Sequence, residues 1–266
     1  MNEILELFTY QFVLRALIAG SLISVCTSVL GVVLVLKHYS LIGHGLSEIG
    51  FASLSIAAAL NIPAMIISTP SVILASFVIM FVSQRYKTAG DIAIAIASSI
   101  ALALGIIISS LSGSVSSTSS YLFGSVLAIS QWDLVFSIVL SLVIIAAFIV
   151  FYNRLFLITY NEDYARSLGI NTTFYQLLIS ILTALIVVLG MRIMGTLLIS
   201  GVIILPAVSA RKVASDFRML VIISGVISFV AFVAGLLLSF VFNVPAGAGV
   251  IIANTLILII LKVLVK

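Results

Sequence analysis

The sequence predicts an all-α polytopic membrane protein, a transmembrane helical bundle of eight or nine spans forming a single domain over residues 1–266. Three observations predict it. Hydrophobic residues make up 63% of the chain and charged residues 8%, against roughly 25% charged in a soluble domain. Apolar runs of about 20 residues recur through the whole length, each able to cross a hydrocarbon core of roughly 30 Å as a helix. The runs are unbroken, whereas the strands of an outer-membrane barrel alternate in polarity over segments of about ten residues. A barrel is excluded.

The first residues, "MNEILELFTYQ", carry Glu3 and Glu6 in place of a basic leader. The apolar segment after them is too long for a signal-peptide core, so it reads as a retained first span. Candidate spans follow at 12–36, 38–60, 62–83, 91–111, 132–152, 173–193, 196–210, 218–242 and 246–265. The segment "TLLISGVIILPAVSA" (196–210) is short for a crossing and is interrupted by Pro206, so it is either a kinked span or a re-entrant one. Charge arbitrates. With an external N-terminus and nine crossings, Lys37, Arg85, Lys87, Arg154, Arg166, Arg211, Lys212, Arg218, Lys262 and Lys266 all fall on the cytoplasmic side. Only Arg15 and Arg192 stand apart, which satisfies the positive-inside rule and favours nine. The C-terminus is then cytoplasmic. Cys26 is the only cysteine, which leaves no intrachain disulfide.

Three connections stand out. The external stretch 112–133 opens Ser-rich and continues into the apolar "YLFGSVLAI", suited to the membrane surface. In the cytoplasmic stretch 152–173, Asn161 caps a short helix that begins with Glu162 and Asp163 at its positive end and stops at Gly169. Tyr164, Ala165 and Leu168 are expected on one side of it, and its charges on another. Too short to stand alone, such a helix needs a surface to lie on. In "FNVPAGAGVII", Pro245, Gly247 and Gly249 form a tight external turn.

The chemistry concentrates in "SLIGHGLSEIGFAS" (40–53). If the second helix starts after Lys37, His44 lies roughly 10 Å and Glu48 roughly 16 Å into the membrane, on one helical face. A carboxylate at that depth faces the bundle interior or a watery path by default. Gly43, Gly45 and Gly50 remove bulk around the pair. Imidazole and carboxylate together suit a borderline divalent ion such as zinc, manganese or ferrous iron, and two donors alone hold it loosely enough for permeation. The bland alternative is a pair that hydrogen-bonds only to fix packing. His38, beside Lys37, reads as interfacial, and Asp91 as a helix cap.

The run "SLIGHGLSEIGFASLSIAAAL" resembles the second-helix motif of the membrane subunits of bacterial zinc, manganese and iron ABC importers, usually Gly-Asp-x-x-Ser-His. "SYLFGSVLAIS", "EDYARSLGI", "MGTLLISGVIILPAVSAR" and "NVPAGAGVII" resemble further family segments in the same order, covering essentially the whole chain. By position, Gly43 and Ser47 match the motif, His44 stands where its aspartate stands, and Glu48 where its histidine stands. The resemblance implies a type II importer permease-like fold and a homodimer. It implies one ATP-hydrolysing subunit beneath each copy and an extracytoplasmic metal-binding lipoprotein or periplasmic protein delivering the ion. It further implies a multi-pass location in the bacterial plasma membrane, no nucleic-acid partner and no permanent cofactor, the metal being cargo. "EDYARSLGI" resembles the helix that couples ATPase movement to the membrane, with Ala165, Leu168 and Gly169 at matching positions. ATP itself is not expected to bind here, because no G-x-x-x-x-G-K-[ST] loop occurs in the chain. An ion-gradient-driven secondary transporter using His44 and Glu48, or an ABC permease for a metal chelate, are the alternatives.

Overall fold

The computed structural model describes residues 11–37, 39–85, 90–113, 121–124, 131–242 and 244–264. Glu3, Glu6, His38, Lys87, Lys266, the side chain of Asp91 and most of 114–130 lie outside the described residues. The described chain is helical: α1 (Gln11–Leu36), α2 (Ser40–Ala59), α3 (Ala64–Arg85), α4 (Gly90–Leu111), α5 (Gln131–Val150), α6 (Tyr152–Tyr160), α7 (Glu162–Ser167), α8 (Thr172–Met194), α9 (Ile199–Ala210), α10 (Phe217–Phe242) and α11 (Ala246–Leu264). Eight of these are long and apolar enough to cross a membrane.

The connections are written in local sequence. After α2, Asn61 adopts φ 54°, and the Ile62 amide donates to the Ala57 carbonyl at 3.0 Å. This left-handed helix stop is followed by Pro63, which cannot continue the helix. α1 and α8 form the centre, with 72% of each span buried, whereas only 22% of α4 is buried. Small residues permit the close crossings that membrane bundles need. A Cβ on Gly31 of α1 would overlap the Ile203 carbonyl of α9, and one on Gly235 of α10 would overlap the Val250 backbone of α11. α1 and α10 are further stitched by serines: Ser228 Oγ donates to the Ser24 carbonyl at 2.7 Å, and Ser24 Oγ and Ser224 Oγ donate across the same seam.

The segment expected over 196–210 is a composite. α9 has 12 residues, about 18 Å of rise, too little for a crossing by itself. It nevertheless descends alongside α1: Ile199 and Ile23 both lie against Gly190, and Ile203 meets Gly31 and Gly43. It therefore ends on the face where α1 ends at Lys37. The missing length is supplied by non-helical backbone at 195–198, whose polar groups are satisfied by protein. The Thr196 amide donates to the Tyr121 carbonyl at 3.0 Å and the Leu197 amide to the Leu122 carbonyl at 3.3 Å. Irregular backbone is tolerated within a membrane where protein surrounds it in this way.

Candidate functional site

α2 begins one residue after Tyr39 and carries His44 and Glu48 one turn apart on a single face, as helical spacing requires. His44 Nε2 lies 3.3 Å from Glu48 Oε1, with the imidazole 42% exposed and the carboxylate 8%. The other carboxylate oxygen, Oε2, is buried without a hydrogen-bond partner. A buried acceptor left open is costly, and it is a natural position for a cation. Among the described residues no group of three or more His, Cys, Asp or Glu side chains converges.

The three glycines around the pair serve helix contacts in different directions. A Cβ on Gly43 would press on Ile203 of α9, one on Gly45 on Ile94 of α4, and one on Gly50 on Met191 of α8. Phe51 and Ala52 in turn pack on Gly105 of α4. At about 100° per residue, His44 and Glu48 project between the α9 contact and the α4 contact, which leaves His44 its exposure. Ser47 is fully buried, and its hydroxyl donates to the His44 carbonyl at 2.8 Å.

The second sequence-predicted cluster lies on the Lys37 face. Asn161 Oδ1 accepts from the Tyr164 amide at 3.0 Å and so caps α7. Gly169 adopts φ +76°. The Ile170 amide donates to the Ala165 carbonyl and the Gly169 amide to the Arg166 carbonyl, both at 3.1 Å. These paired bonds define a Schellman stop. Tyr164, Ala165 and Leu168 do not share a side as the sequence suggested: Ala165 is fully buried, whereas Tyr164 and Leu168 are exposed. Asp163 faces solvent. Glu162 turns inward, 3.2 Å from Lys37 Nζ, and accepts from Gln176 Nε2 at 2.6 Å and Arg166 at 3.0 Å. Burial alone would raise the Glu162 carboxyl, but Lys37, Gln176 and Arg166 outweigh it and hold it below the usual carboxylate range. Burial pushes the Lys37 ammonium down, and Glu162 offsets part of that.

Sequence reasoning paired neither Lys37 with Glu162 nor Asp133 with Arg192. Asp133, in the first turn of α5, binds Arg192, in the last turn of α8, on the face opposite Lys37. A usable signal existed, since an arginine inside the end of a span calls for a carboxylate at the same depth.

The family model for ABC-3, described as the ABC 3 transport family, matches residues 9–265. The chain belongs to the ABC 3 transport family. This ABC 3 chain is 30% identical over 254 residues to the "Manganese import system permease protein ScaB" of Streptococcus gordonii, covering 96% of this chain and 91% of the relative. It is 25% identical over 252 residues to the "High-affinity zinc uptake system membrane protein ZnuB" of Haemophilus influenzae, covering 94% and 97%. The solved structure "PsaBC from Streptococcus pneumoniae in complex with Fab" superposes with a TM-score of 0.87 at 27% identity, covering 97% of this chain and 93% of that one. The α2 pair and α7 both lie within the ABC 3 match.

Proposed function

We propose that this ABC 3 chain is the permease subunit of an ATP-driven importer for a divalent transition metal ion: zinc, manganese or iron. The observation that carries the reading is the His44–Glu48 pair on the uncovered side of α2, with one carboxylate oxygen buried and open. The donor chemistry of that pair agrees with the metals in the relatives' names. ATP hydrolysis belongs to a separate cytoplasmic subunit, and an extracytoplasmic metal-binding protein delivers the ion.

The permease works as a homodimer of single-domain chains in the bacterial plasma membrane, and the ion passes between the copies. A second copy brings a second imidazole and carboxylate, which raises the donors to two nitrogens and two carboxylates. In the state that faces the delivery protein, the metal reaches these groups. When ATP binding favours the opposite state, they part and release it inward. Such a switch requires the partner to bind the two states with different affinity.

Support for a cytoplasmic Lys37 face comes from Arg154, Arg166, Arg211, Lys212, Arg218 and Lys262, which lie in or beside the helix ends and short helices on that side. The N-terminus is then external. Tyr164 and Leu168, four residues apart and exposed there, offer the ATPase subunit contacts on one side of α7, with Asp163 beside them and the Schellman stop at Gly169 fixing its end.

The test is ATP-dependent metal uptake by vesicles holding the assembled transporter. Glu48→Ala is expected to abolish uptake of zinc, manganese and ferrous iron alike while dimer and ATPase still co-purify. Unchanged uptake in that variant would sink the site. Uptake driven by an ion gradient without the ATPase would sink the class.

A further inference from the structure

α5 and α10 both pack against α1, and between them, at the Lys37 face, lies a cleft of about 450 Å³. Two of its lining rings pack on the buried Phe217: Phe148 stacks on it at 6.3 Å and Tyr152 lies tilted against it at 5.6 Å. Its walls change character with depth. Phe148, Val221 and Ile222 line it toward the membrane, whereas Tyr152, Asn153 and Arg218 line it where the spans end. Ile222 is 56% exposed, so the apolar wall is continuous with the outer, lipid-facing surface of α10.

We propose that this cleft binds one anionic phospholipid, its phosphate against Arg218 and Asn153 and an acyl chain along Val221 and Ile222. Charge complementarity favours this occupant. Arg218 forms no ion pair among the described residues; the carboxylate two positions earlier, Asp216, keeps its charge but sits at the positive start of α10, where it accepts from the Met219 amide at 2.7 Å. Burial first, and Asp216 second, push the Tyr152 phenol up, which keeps it a neutral group with a proton to offer. A cationic fork and neutral donors at the headgroup level, above an apolar slot, match a phosphodiester on two chains rather than a soluble anion. A zwitterionic lipid places a cationic group in the same rim and loses the preference.

The full chain in nonionic detergent, offered phosphatidylglycerol or phosphatidylcholine with identical acyl chains, provides the test by native mass spectrometry. About fivefold tighter retention of one phosphatidylglycerol is expected, the worth of one basic residue near an anionic headgroup. Arg218→Gln should abolish that preference. Arg211→Gln, on the same face but outside the cleft, should leave it intact. Ile222→Trp, which fills the slot and keeps the charge, should also lose the lipid. Equal retention of the two lipids would overturn the proposal, as would equal losses in Arg218→Gln and Arg211→Gln. Full displacement of the lipid by glycerol phosphate would reassign the rim to a soluble anion. Retention unaffected by Ile222→Trp, or a changed oligomer mass in that variant, would remove the lipid from the cleft.

Discussion

Glu48 has one oxygen near His44 and the other buried without a partner, so the fold leaves it unsatisfied, which supports the cation role proposed for it. The order of the two groups is reversed relative to the Gly-Asp-x-x-Ser-His pattern that the sequence resembles. If a ligand set matters more than its order, exchanging the pair as His44→Glu with Glu48→His should retain uptake within a few-fold. Either substitution alone, leaving two acids or two imidazoles, should lower uptake by at least about tenfold, the loss that follows even from removing an outer-shell partner. Radiometal uptake across zinc, manganese and iron measures this, and a double variant as inactive as the single ones would refute it. The pair was legible in the sequence because depth and face follow from helix geometry alone. The roles of Gly43, Gly45 and Gly50 were not, since sequence reports missing bulk but not which neighbour, Ile203, Ile94 or Met191, occupies the space. Asp133 and Arg192 stayed hidden for a related reason: they lie 59 residues apart, and their meeting depends on the register between α5 and α8.

At the scale of the element, α7 has 6 residues and cannot persist without tertiary support. That support is the inward Glu162, the buried Ala165 and the stop at Gly169. Because Glu162 is depressed in the fold, its contribution is complete above its ordinary value of 4.5 and is lost as pH falls through the lower folded value. Lys37 works in the opposite sense: its lowered folded value disfavours the ammonium, a penalty relieved as pH rises toward 10.5. Hydrogen-exchange protection of 162–170, taken against the intrinsic rate at each pH, should therefore fall below about pH 4.5 in the native chain. In Glu162→Gln it should show no such acid step, and an identical step in both would place the titrating group elsewhere. Gly169→Val tests the stop. No atom lies within 4 Å of the added Cβ, so the expected penalty is that of the left-handed conformation, about 1–2 kcal/mol, read as local loss of protection with little change in global unfolding.

Over the whole molecule, the eight long spans were legible because each is a continuous apolar run, and composition alone fixes their class. The ninth segment was not fully legible, because a 12-residue helix completes its passage only with the non-helical residues 195–198. Their partners, Tyr121 and Leu122, are supplied from a distant connection. That junction is tight. Gly195 at φ +92° and Gly124 at φ +78° cross backbone to backbone, with no room for a Cβ on either. Asp133 and Arg192 close the same region by tying α5 to the end of α8, three residues before Gly195. The pair thus acts on the irregular backbone rather than on a helix that would form unaided. Removing one partner of a largely buried pair leaves the other charge uncompensated, at about 3–5 kcal/mol, whereas removing both leaves no such charge. Arg192→Met should accordingly lower the thermal unfolding temperature in detergent sharply, and Asp133→Asn with Arg192→Met should recover a large part of the loss. The two changes should then couple in a double-mutant cycle. Strict additivity would mean that the pair does not hold the junction, leaving the Gly195–Gly124 crossing and the bonds to 121–122 to define how α9 enters the bundle.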